Sequence, residues 1–204
     1  MIVIIDYGMG NLGSIHNMLR KVNAEAIISA DPKEIANADK LILPGVGAFD
    51  HAMANLNNLN LTPLLNEKVL IEKIPLLGVC LGMQLLTKRS EEGTMPGLNW
   101  IDAETVRFKF ENNEKLKIPH MGWNTVEIKR NDSLFKNMGI EPRFYFVHSY
   151  YVKCYDQDNI LTTTDYGGDF CSSVVKDDIR GVQFHPEKSH KFGMQLLRNF
   201  ADLQ

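Results

Sequence analysis

At 204 residues, with 44% hydrophobic and 23% charged side chains, the chain can bury a full core, and its apolar runs are too short to cross a bilayer. A formal net charge of −3 offers no basic surface for nucleic acid, and three cysteines without C-x-x-C spacing argue against a disulfide framework or a zinc cluster. These numbers suit one α/β domain over residues 1–204 in a reducing, cytoplasmic setting away from membranes.

The first residues, Met1-Ile2-Val3-Ile4-Ile5-Asp6, lack the basic start and small-residue cleavage site of a leader. Ile2–Ile5 reads instead as a strand buried on both faces. Gly8-x-Gly10-x-x-Gly13 follows, then a helix expected from about Ser14 with Ile15, Met18, Leu19 and Val22 on its apolar face. With Asp31 downstream, this has the form of a dinucleotide-binding fingerprint and admits an NAD-binding reading. The other reading is a tight strand-to-helix turn needing positive φ, with Asp31-Pro32 merely opening the next helix. Ala26–Ser29 and Lys40–Leu43 are further strands, the latter closed by Pro44-Gly45-Val46-Gly47. That loop sits at the carboxyl end of a strand, and its glycines leave backbone N–H groups accessible for an oxyanion hole or simply for a turn.

Helical patterns cover Ala52–Leu56 and Leu64–Ile71. Leu76, Leu77 and Val79 then form a short strand, Gly78 and Gly82 flank Cys80, and Met83–Leu86 starts a helix. Strand, bend and helix place Cys80 at the turn, as in a nucleophile elbow, where a helix N-terminus favours thiolate. An inert buried cysteine is the alternative. Alternating strands and helices predict a central, mostly parallel sheet flanked by helices.

Beyond Ser90-Glu91-Glu92-Gly93 the chain becomes β-rich. Trp100–Phe110, Asn124–Lys129, Arg143–Cys154, Ile160–Thr164, Phe170–Lys176 and Gly181–His185 read as mostly antiparallel or mixed strands, before a closing helix over Lys191–Leu203. In an extended chain, His185 and Glu187 share a face across Pro186, and a carboxylate beside an imidazole fixes its tautomer. His185, Glu187 and His190 match no zinc pattern, so no metal is expected. Cys80, the His-x-Glu pair and the amide loop together are the parts of a cysteine-nucleophile site.

Gly78-Val79-Cys80-Leu81-Gly82 with His185-Pro186-Glu187 resembles the class I (triad) glutamine amidotransferases. Asp6–Leu12, Leu43–Gly47, Pro119–Asn124, Phe146–Tyr150 and Gln183–Ser189 are similar to the glutaminase subunits of imidazole glycerol phosphate synthases within them. The resemblance implies a flavodoxin-like three-layer fold, no cofactor, and hydrolysis of L-glutamine to glutamate and ammonia. Cys80 would attack the amide, with His185 and Glu187 as its partners. The amides of Leu81 and the Val46-Gly47 segment should hold the oxyanion. Gln84, four residues past Cys80, shares its helix face, and the resemblance adds His148, Ser149 and Tyr150 as substrate contacts. It also implies a heterodimer with a (β/α)8-barrel cyclase that receives the ammonia and forms imidazole glycerol phosphate and an aminoimidazole carboxamide ribotide. Asn11, Trp123, Tyr145 and Lys188 match that family's interface. Paralogues that feed an N-sugar synthetase for surface polysaccharide resemble the chain too, and a regulatory pseudo-glutaminase is a non-enzymatic rival.

Overall fold

Four consecutive buried residues, Ile2–Ile5, form β1 because nothing along them favours one face over the other. Val3 and Ile5 point into one apolar layer, Ile2 and Ile4 into the opposite one. Each such side chain removed from water contributes about 1.5–3 kcal/mol. The computed structural model describes residues 1–110 and 116–203. In chain order its elements are β1, α1 (Leu12–Lys21), β2 (Ala26–Ser29), α2 (Pro32–Ala36), β3 (Lys40–Leu43), α3 (Phe49–Asn58), α4 (Thr62–Asn66), β4 (Leu76–Val79) and α5 (Leu81–Leu85). Then follow β5 (Ala103–Arg107), β6 (His120–Thr125), β7 (Glu127–Ile128), β8 (Arg143–His148), β9 (Tyr150–Cys154), β10 (Ile160–Asp165), β11 (Asp169–Lys176), β12 (Ile179–Val182) and α6 (His190–Ala201).

The main sheet runs β2-β1-β3-β4-β12-β11-β10-β7, with β9 also on β11 and β5 on β9. It is parallel from β2 through β12 and antiparallel beyond. The expected mixed, mostly parallel sheet is therefore present, and β12 is the late strand that belongs to its parallel part. One face packs Leu41, Leu43 and Leu76 against Phe49, Met53, Leu56, Leu65 and Trp100. The other packs Ile42, Leu77 and Val79 against Ile15 and Leu19 of α1 and Leu196, Leu197 and Phe200 of α6. That is helix, sheet, helix: three layers.

Several boundaries differ from the sequence expectation for physical reasons. Helix α3 starts at Phe49 rather than Ala52, because the Glu92 carboxylate, distant in sequence, accepts the Phe49 N–H. The Leu64–Ile71 pattern begins at Thr62 and ends in a single π turn over Glu67–Ile71. The Arg143–Cys154 run is two strands. At Ser149 the chain leaves the two-stranded β6–β8 ribbon and joins the main sheet as β9.

Gly8 and Gly10 hold φ of +82° and +102°, and a Cβ on Gly10 would press on Pro44 at 3.1 Å. The Asp31 carboxylate accepts the Lys33 N–H at 2.8 Å as the cap of α2. The glycine fingerprint is thus a strand-to-helix turn packed on the Pro44 loop, and its acidic residue starts a helix. Among the described residues no helix is long and apolar enough to cross a membrane.

Candidate active site

Cys80 leaves β4 with φ +55° and ψ −109°, a conformation costly for any residue with a Cβ. The bend fits because the residues two positions either side of Cys80 are glycine. A Cβ on Gly82 would lie 1.8 Å from the Leu43 carbonyl, and one on Gly78 would meet Gly82 at 2.9 Å. The elbow expected from the sequence is therefore present, although α5 behind it has only five residues and its dipole is weak.

The partners arrive through strand register. Parallel pairing sets Val79 opposite Val182, and the Cys80 N–H donates to the Val182 carbonyl at 2.8 Å. His185 is three residues past Val182. Its backbone N–H donates to Tyr145, and the Ser189 hydroxyl, bonded to the His185 carbonyl and the Tyr145 N–H, ties the segment down. His185 Nδ1 lies 2.8 Å from Glu187 Oε1, both side chains being 2% exposed. The expected reason for this pairing was an extended chain. The structure instead folds Pro186–Lys188 into a 3-10 turn, which brings the carboxylate back onto the ring.

His185 Nε2 is buried without an ordinary hydrogen-bond partner. Burial disfavours its imidazolium, yet hydrogen bonding and charge attraction from Cys80 and Glu187 outweigh that and push His185 up to about 10. A cationic ring beside a cysteine sulfur is an arrangement that stabilises thiolate. Burial, with the Cys80 charge adding to it, also pushes the Tyr7 hydroxyl up, so it stays protonated and donates to the Pro44 carbonyl at 2.6 Å.

A cavity of about 340 Å³ opens over the thiol. Val46, Gly47, Cys80, Leu81, Gln84, His148, Ser149, Tyr150 and His185 line it, so the sequence-expected contacts do converge. The expected oxyanion amides are not both open in this structure. The Leu81 N–H donates to the Gly45 carbonyl at 3.3 Å, so it is engaged in this structure. Gly47, at φ +110°, ends that loop. Freeing Leu81 requires the Gly45 carbonyl to swing away.

Gln84 is 5% exposed, and its Nε2 donates to the Tyr150 carbonyl and to Gln183 Oε1, both at 3.1 Å. His148 donates Nδ1–H to the same carbonyl at 2.7 Å, and its Nε2 faces His120 Nδ1 at 3.0 Å. Two rings sharing one proton position in this way are both neutral, and burial pushes them down, to about 3 for His148 and about 4 for His120.

Sequence reasoning missed His120, Gln183 and Glu92 as members of the site. His120 and Gln183 lay inside motifs whose other members drew attention. Glu92, also at the cavity wall, carried no spacing signal at all.

Trp123, Tyr145 and Lys188 form one surface cluster beside the cavity. Tyr145 meets Trp123 edge-on at 6.3 Å, and Lys188 Nζ sits 5.8 Å from the Tyr145 ring centre. His190 stacks on Trp123 at 5.5 Å instead of joining His185 and Glu187, and among the described residues no metal-holding His/Cys/Asp/Glu cluster occurs. Asn11 sits at the N-cap of α1, directly after the Gly10 turn that packs on Pro44.

The class-I glutamine amidotransferase family model matches residues 3–203. A Methanococcus maripaludis protein described as imidazole glycerol phosphate synthase subunit HisH 2 is 60% identical over 200 residues, 98% of each chain. A Pseudomonas aeruginosa protein with the same description is 51% identical over the whole of both chains. A solved Thermoplasma acidophilum structure, a putative GMP synthase component, superposes with a TM-score of 0.72 over 98% of this chain and 91% of its own; at 20% identity it speaks for the fold alone. With a family model and curated relatives matching it over nearly its whole length, the chain belongs to the class-I glutamine amidotransferases.

Proposed function

We propose that residues 1–204 act as one amidotransferase domain, the glutaminase subunit of an imidazole glycerol phosphate synthase. The reading hydrolyses L-glutamine through Cys80, His185 and Glu187. The observation that carries it is the His185–Glu187 contact at 2.8 Å with the opposite imidazole nitrogen left open beside the elbow cysteine.

In this reading the Cys80 thiolate attacks the side-chain carbonyl carbon of glutamine. The carbonyl electrons move onto oxygen, which the Leu81 N–H and one from Val46–Gly47 hold once the Gly45 carbonyl has withdrawn. Collapse of the tetrahedral species breaks the C–N bond, and His185 delivers its Nε2 proton to the leaving ammonia. Neutral His185 then takes a proton from water, whose oxygen attacks the thioester and releases glutamate and Cys80. Glu187 holds the ring and stabilises its cation throughout. Glu92 and Lys188 at the cavity wall offer one anionic and one cationic group, a fit for the α-ammonium and α-carboxylate of an amino acid.

Ammonia released to neutral water becomes ammonium and is no longer a nucleophile. A cyclase subunit docked over Trp123, Tyr145 and Lys188 would receive it directly, giving imidazole glycerol phosphate and the ribotide by-product. The chain's HisH-described relatives support that partner. A cytoplasmic location fits three cysteines that remain free thiols.

Cys80→Ala tests the reading. Glutamate release from glutamine should fall to background while the circular dichroism spectrum and melting temperature stay at wild-type values; full turnover in that variant overturns it. Wild-type turnover should rise with the cyclase and its nucleotide ligand present. Capture of an N-sugar synthetase, with no response to cyclase, would move the ammonia acceptor to surface-sugar amidation.

A further inference from the structure

Gln183 is fully buried, and the reaction as derived above gives it no part. It follows Val182, which β12 pairs with Val79, so Cys80 and Gln183 leave the sheet side by side. Gln183 Nε2 lies 3.7 Å from the Cys80 sulfur, and Gln183 Oε1 accepts from Gln84 Nε2 at 3.1 Å. The other proton of Gln84 Nε2 goes to the Tyr150 carbonyl, also at 3.1 Å.

The direction of this chain is forced. A backbone carbonyl only accepts, so Gln84 must turn its NH2 towards Tyr150. That NH2 also faces Gln183, whose oxygen must meet it, leaving the Gln183 NH2 aimed at the sulfur. A flipped Gln183 would set two NH2 groups against each other and its carbonyl oxygen against the Cys80 thiolate, acceptor facing acceptor.

We propose that Gln183 is a catalytic residue that donates an amide N–H to the Cys80 thiolate, and that Gln84 is the positioning residue that fixes its direction; the role in turnover rests on the glutaminase reading above. A donor bonded to an anion is stronger than one bonded to a neutral group, so the contact favours thiolate over thiol. Unlike His185, an amide holds the anion without being able to return its proton to sulfur. The titratable groups around Cys80 are His185 and Tyr7, with Glu92, His148 and Lys188 at the cavity wall.

The test is the pH dependence of Cys80 alkylation by iodoacetamide in the full chain, read by mass spectrometry, with Cys80→Ser as the blank. Gln183→Leu removes the donor at similar volume. We expect its alkylation midpoint to rise by about one pH unit, the size of one hydrogen bond to a charged group. Turnover should fall about tenfold with KM for glutamine within about twofold. An unmoved midpoint in a variant that melts like wild type overturns the proposal. So does a raised KM with kcat and midpoint unchanged, which would make Gln183 only a wall of the cavity. If Gln183→Leu does not fold, Gln84→Met decides: freed of its lock, Gln183 should lose its aim and the midpoint should rise by a smaller amount, and no rise refutes the idea. Alkylation does not require turnover, so absence of glutaminase activity in wild type would refute the function while leaving this test intact.

Discussion

Replacing Glu187 with glutamine removes one charge and almost no volume from a pair that is 2% exposed on both sides. His185 is held at about 10 against an ordinary 6.5. At about 1.4 kcal/mol per pH unit, this separation is worth about 5 kcal/mol of preference for the cation. Burial opposes the rise, and Cys80 and Glu187 are the two groups that produce it. Loss of the Glu187 charge removes one of these two groups, so the population of the thiolate–imidazolium pair should fall by about tenfold or more. The glutamine oxygen still accepts Nδ1–H, so the ring keeps its orientation and the loss should fall on kcat rather than KM. The sign with pH is definite. A raised histidine contributes its stabilisation in full below about 6.5 and loses it as pH rises through about 10. Wild-type turnover should therefore persist into alkaline solution and fail near 10, and Glu187→Gln should fail at lower pH. Steady-state glutaminase assays from pH 6 to 10.5 measure both. Turnover within threefold of wild type, with an unmoved alkaline limb, would refute the proposed electrostatics.

Three further outcomes follow from other parts of the molecule. His148 and His120 are held neutral, so their contribution is whole above about 6.5 and fades as pH falls towards 4; the melting temperature should drop between pH 6.5 and 4.5, less steeply in His120→Phe, and equal slopes would show that the pair carries none of it. Gly82→Ala places a Cβ 1.8 Å from the Leu43 carbonyl, a backbone atom with little room to yield; a cost of about 3 kcal/mol or more should lower the melting temperature by about 10 °C, and an unchanged melt would contradict the packing of the elbow. Trp123 is 47% exposed within an aromatic and cationic cluster; Trp123→Ala should weaken binding to the cyclase by about 2 kcal/mol, near thirty-fold in Kd by titration calorimetry, and an unaltered Kd would place the interface elsewhere.

Much of the molecule was legible before any coordinates. The apolar runs Ile2–Ile5 and Leu41–Leu43, the glycine-flanked Cys80 and the His185-Pro186-Glu187 triplet are local signals, because short-range sterics and periodicity act within a few residues. They were enough to mark strands, an elbow and an imidazole with its carboxylate. What they could not contain is register. Only the pairing of Val79 with Val182 brings Cys80 to His185, and the same pairing delivers Gln183 to the sulfur, a contact with no signature in its own neighbourhood. The engaged Leu81 amide depends on where the Gly45 carbonyl lies, and the neutral His120–His148 pair on a ribbon closing across β6 and β8. The sequence by itself thus determined which chemical groups the protein owns and how each bends its local chain. Tertiary structure alone decided which of them touch, because hydrogen bonds, burial and charge act through distances set by elements a hundred residues apart.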